Sequence, residues 1–177
     1  YKVAAEFHVI FAVLTLCFGY GFVKMHFEKT ICRILYCLLM AGCFPLMLYL
    51  PYIYGDVPSI CFCTILFWAL SKYGTAFRKR YIVLGALMAA LALMCRMNTW
   101  IVLIAVGIGM VLLAIQKKTY KPLIAALCIL LSAAGAIKAV NLMYELRSGY
   151  ESGVGIPSVL WIAMGLQETN GEAGTYN

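Results

Sequence analysis

The chain predicts an all-α fold: a polytopic transmembrane bundle of about six spanning helices, followed by a C-terminal segment at the outer membrane face. Three observations point there. First, 64% of its 177 residues are hydrophobic and only 12% are charged, against about 45–50% and about 25% in a soluble domain. A water-soluble core of this size has no place for so much apolar surface. Second, the apolar stretches have the length of membrane-spanning helices, not of the ~10-residue alternating strands of a membrane barrel. Third, cations cluster at three places, around Lys24, Lys29 and Arg33, from Lys72 to Arg80, and from Lys117 to Lys121. Successive clusters are separated by enough apolar residues for two crossings.

A spanning helix needs about 20 apolar residues, within a range of about 17–25. The first segment covers residues 4–23 and carries Glu6 and His8 near its start. The second covers 31–50, with Pro45 as a kink and Pro51 as its end, because proline lacks the N–H that a helix interior uses. The third, 57–71, is short. The fourth and fifth cover 81–95 and 99–115. The sixth covers 122–140 and opens on Pro122, a residue suited to a first helical turn. Gly85 and Ala89 in the fourth, and Ala125, Ser132, Gly135 and Ala136 in the sixth, are small enough for close helix packing.

Short cationic loops stay in the cytoplasm during insertion. The linkers 24–30, 72–80 and 116–121 are therefore expected on the cytoplasmic side of a multi-pass cell-membrane protein. Linkers 51–56 and 96–98, and everything after about 141, fall outside. Ten of the 14 Lys and Arg residues then lie at the inner side, and six of the seven acids at the outer side, Glu28 being the exception. Acids contribute little to orientation, so their segregation is a separate hint that the outer side carries polar chemistry.

The net charge of +7 is accounted for by these loops, so membrane lipids with anionic headgroups, and no nucleic acid, are the expected partners. The eight cysteines lie in or beside apolar runs without a Cys-x-x-Cys pair, where they act as small apolar residues; neither disulfides nor metal ligation is expected of them. Glu6 and His8, two apart, fall on different helix faces and do not make a metal site. Residues 1–141 read as the bundle, and residues 142–177 as the beginning of an extracytoplasmic or interfacial region. The chain reads as a piece of a longer protein. In its glycine-rich tail the run around Trp161 is too short to cross, and suits an interfacial anchor or a lid.

Candidate site residues concentrate at the outer side. Asp56 stands where the third segment begins, a position favoured for a carboxylate by the helix dipole, and one from which it could also contact a metal or an acceptor hydroxyl. Arg96 lies in a tight turn; it either snorkels to the interface or binds a lipid-borne phosphate through its planar fork. Asn98 is expected to cap the fifth helix. Lys138 and Arg147 sit at and after the outer end of the sixth. A cation on the side that topology disfavours calls for a partner, such as Glu145 or a phosphate.

Tyr52, Tyr54, Gly55 and Asp56 in an outer loop, the helix ending Met94-Cys95-Arg96-Met97-Asn98, and the tail with Trp161, Met164, Gly165, Gly174, Tyr176 and Asn177 resemble bacterial membrane glycosyltransferases of the GT-C type. The closest likeness is to the branch related to protein O-mannosyltransferases. The resemblance implies a sugar donor linked to polyprenyl phosphate and transfer on the extracytoplasmic face. It places the catalytic acid in the first outer loop, hence upstream of residue 1. Asp56 then becomes an auxiliary acid, and Arg96, Lys138, Arg147 and Trp161 become substrate contacts. A divalent metal is compatible with such chemistry, but no ligand set for one stands out here. The alternatives are a transporter or flippase for a lipid-linked or small polar substrate, and an assembly subunit without chemistry of its own. Against transport, helices three to six have no ionisable residue in mid-span.

Overall fold

The computed structural model describes residues 2–43, 55–149, 168–169 and 172–173, with side chains from Glu6 to Gly149. Pro45, Pro51, Tyr150 and Trp161 lie outside the described residues. Among the described residues there are six α-helices: α1 (Lys2–His26), α2 (Thr30–Ala41), α3 (Asp56–Ala76), α4 (Lys79–Cys95), α5 (Thr99–Lys117) and α6 (Lys121–Ser148). The chain divides into two compact units, residues 1–138 and 139–177.

Among the described residues four helices, α1, α3, α5 and α6, are long and apolar enough to cross a membrane, fewer than the about six expected. In α4 the first two residues are Lys79 and Arg80, which leaves 15 residues from Tyr81 to Cys95 for an apolar stretch. The expected second segment, 31–50, is described as helix only to Ala41.

In the first unit α3 is central. It lies against α1 through Phe11–Phe62 and Phe18–Trp68 edge contacts, with centroids 5.4 and 5.2 Å apart. It lies against α4 where Leu66 reaches Gly85. Gly85 leaves room for Leu66 on one side and Ile129 of α6 on the other. Ala89 and Ala125 are fully buried in the same core, as expected of small residues at helix interfaces. Ser132 adds a hydrogen bond from its Oγ to the Ala86 carbonyl at 3.3 Å, whereas Gly135 faces open space. α2 meets α1 where Tyr36 packs onto Gly19, a site at which any Cβ would collide with the phenol oxygen. The Tyr36 hydroxyl donates to the Thr15 carbonyl at 3.1 Å.

Outward faces are apolar too. Ile101, Ile104, Ile108 and Ile115 of α5 are 59–72% exposed, a continuous greasy stripe that suits lipid as solvent.

The basic cluster between α3 and α4 is mostly helix. Only Phe77 and Arg78 separate the two elements; Phe77 takes a left-handed conformation at φ 49° and closes α3 with a bond to the Tyr73 carbonyl. Helix α6 also outruns its expected end near 140. Residues 141–148 include Leu, Met, Glu and Arg, all favourable in helices, and Gly149 stops the run. Its φ of 72° is cheap only for glycine, and its N–H bonds the Glu145 carbonyl at 2.9 Å. In the second unit a two-residue antiparallel pair joins β1 (Glu168–Thr169) to β2 (Glu172–Ala173).

Candidate functional site

The start of α3 meets the turn between α4 and α5. Gly55 precedes α3 with helical angles (φ −66°, ψ −4°), and its carbonyl accepts the Ser59 N–H at 3.1 Å. The Cys95 backbone carbonyl presses so closely on Gly55 that a Cβ there would collide with it. Glycine is needed at this position for its lack of a side chain, not for its backbone freedom.

Arg96 closes α4 in an extended conformation (φ −151°, ψ 117°). Its N–H still bonds the Ala92 carbonyl at 3.0 Å, so the residue is held at the helix end. Its Nε donates to Asp56 Oδ1 at 2.6 Å, with the two side chains 40% and 25% exposed. That pair joins the first residue of α3 to the residue after α4, and it remains open to solvent.

A second polar layer lies beneath it. Ser59 Oγ and Thr99 Oγ1 are 3.0 Å apart, and both hydroxyls approach the Ala92 carbonyl, at 3.4 and 3.2 Å. Both residues are buried. The Ala92 carbonyl already accepts the Arg96 N–H, so its second lone pair takes one hydroxyl proton and the other hydroxyl donates to its neighbour. This set ties α3, α4 and α5 together and supports the Asp56–Arg96 pair above it.

Asn98 does not cap α5. It adopts helical angles (φ −60°, ψ −14°) and its side chain makes no cap bond. An N-cap residue normally has extended angles to reach the second or third N–H; here the turn instead closes through Thr99, Trp100 and Ile101 N–H groups bonded to the carbonyls of Arg96, Met97 and Asn98.

The basic residues gather at the other end of the helices. His26, closing α1, lies 2.9 Å from Ser71 Oγ on α3. Ser71 gives its own proton to the Phe67 carbonyl, so His26 Nε2–H is the donor to Ser71. Tyr73 donates to the Lys121 carbonyl at 3.2 Å, which brings the start of α6 to the end of α3. Lys121 lies over Phe77 and Arg80 over Tyr81. All three cationic clusters therefore share one end of the first unit, and Asp56 and Arg96 share the opposite one.

Of the residues singled out from the sequence, the structure brings together Asp56 and Arg96. Lys138 is exposed on α6. Arg147 is exposed within the second unit. Among the described residues, no group of three His, Cys, Asp or Glu side chains converges as metal ligands do. Ser59, Thr99 and Ser71 drew no attention in the sequence, because single hydroxyls inside apolar runs follow no pattern, and His26 stood only as part of the first cationic cluster. No protein-family model, no curated protein and no solved structure matches the chain.

Proposed function

We propose that this chain is the membrane portion of a polyprenyl-phosphate-dependent glycosyltransferase, with its basic end in the cytoplasm and Asp56 and Arg96 at the extracytoplasmic surface. The observation that carries the reading is the partly exposed Asp56–Arg96 pair, at the end of the helices remote from the cationic clusters.

Orientation follows from the retention of Lys- and Arg-rich loops in the cytoplasm. Parity then favours six crossings. α1, α3 and α5 all end at the basic end, so the chain must return across the bilayer between each of them. The return between α3 and α5 is assigned to α4, about 25 Å long at 1.5 Å per residue.

Transfer from a lipid-linked donor breaks the bond between the sugar and the lipid phosphate as the acceptor oxygen attacks the sugar carbon. The acceptor proton must go to a base, and the departing phosphate needs compensation of its charge. Both events occur at headgroup depth, because the lipid tail stays in the bilayer. Arg96 supplies a planar cation suited to phosphate. Asp56, already accepting from that guanidinium, holds it in place and is read as a positioning residue.

The test uses the full-length protein in liposomes with a radiolabelled polyprenyl-phosphate sugar. The expected result is label in an acceptor together with free polyprenyl phosphate, reduced tenfold or more by Arg96→Ala. Movement of the labelled lipid across the bilayer without transfer would establish the transporter reading instead.

A further inference from the structure

Helices α1, α3 and α5 line an open cleft of about 480 Å³, within the ~300–1,000 Å³ typical of sites for single small molecules. Phe22, Phe67 and Leu113 wall it. His26, Ser71 and Gln116 make it polar at one end only, the end where the cationic clusters lie. Along α5 the lining runs from Ala105 to Gln116, which is about 16 Å at 1.5 Å per residue. One leaflet of a ~30 Å hydrocarbon core has about that depth.

Charge at the mouth is lopsided. The last turns of α1 and α5 carry Lys24, His26 and Lys117. Across the three clusters ten Lys and Arg residues stand against the one acid Glu28. Three helix C-termini also point this way, each worth only about half a negative charge, so the cations prevail. An anion is favoured at the mouth and a hydrocarbon chain above it.

At Gly109, α5 adds no side chain to the cleft. Gly109 lines it, and a Cβ added there meets no atom within 4 Å. We propose that this cleft seats one anionic phospholipid of the cytoplasmic leaflet, with an acyl chain between α1, α3 and α5 and its phosphate at the His26–Gln116 mouth. The inference rests on the membrane placement in the reading above and is independent of sugar transfer.

The full chain is equilibrated in mixed micelles of phosphatidylglycerol and phosphatidylcholine, and retained lipid is counted by native mass spectrometry. One retained phosphatidylglycerol is expected, favoured roughly tenfold over phosphatidylcholine, as a few surface cations would give. Gly109→Phe should lose it with the melting temperature unchanged. Lys24→Gln with Lys117→Gln, both exposed positions, should keep a lipid but lose the preference. Equal retention of the two lipids by the parent chain, or undiminished retention by Gly109→Phe, overturns the proposal. A dimer that retains no lipid does so as well, since it would mean that a second copy fills the cleft. No donor sugar is present, so the outcome is separate from any failure to find transferase activity.

Discussion

Arg96 Nε and Asp56 Oδ1 lie 2.6 Å apart, so the residue after α4 is bonded to the first residue of α3. With 40% and 25% of these side chains exposed, solvent screening limits what the pair contributes. A double-mutant cycle with Asp56→Ala and Arg96→Ala, followed by thermal unfolding in detergent, is expected to give a coupling of about 1 kcal/mol. A coupling indistinguishable from zero would mean that the two groups merely lie near each other.

The close approach of Gly55 to the Cys95 carbonyl sets up a sharper contrast. Gly55→Ala forces a methyl group against backbone that cannot swing aside, and overpacking of this kind costs about 1–3 kcal/mol. Gly109→Ala, facing open space, should be neutral or stabilise by up to about 1 kcal/mol through helix propensity. Equal effects of the two substitutions on melting temperature would contradict the described contact.

The Ser59–Thr99–Ala92 set should behave as a unit. Ser59→Ala and Thr99→Val are each expected to cost about 1 kcal/mol. Together they should cost less than the sum, because the second hydroxyl has already lost its partner. Strict additivity in the same unfolding assay would show that the hydroxyls act separately.

Much of this arrangement was legible beforehand. The cationic clusters marked one end of the helices because insertion sorts Lys and Arg by side, and that sorting put Asp56 and Arg96 together at the other end. Their direct bond was not legible: it depends on the extended backbone of Arg96, which a tight turn after Cys95 does not reveal. Asn98 misled for a related reason. Its type suits a cap, but capping needs extended angles and the turn imposes helical ones. Helix α6 outruns the expected end at 140 because Asn141 and Glu145 are polar yet compatible with a helix, which continues until Gly149 breaks it.

If Arg96 grips the donor phosphate, Arg96→Lys should keep the charge but lose the planar fork. Steady-state kinetics of the full-length protein should then show donor KM raised about tenfold or more, with kcat less affected. Asp56→Asn, which loosens the guanidinium, should move KM in the same direction by less. A fall in kcat alone in both variants would argue against phosphate binding.

Sidedness is the claim on which the rest depends, and paired cysteine labelling reads it most directly. Thr75→Cys and Asn98→Cys place thiols at exposed positions on opposite ends of the helices. Intact cells are treated with a membrane-impermeant maleimide, and labelling is measured above that of the parent chain with its eight cysteines. Labelling at position 98 but not at 75, with 75 becoming reactive after permeabilisation, is required. Labelling at 75 in intact cells, or at both positions alike, would contradict the assignment of Asp56 and Arg96 to the outer surface.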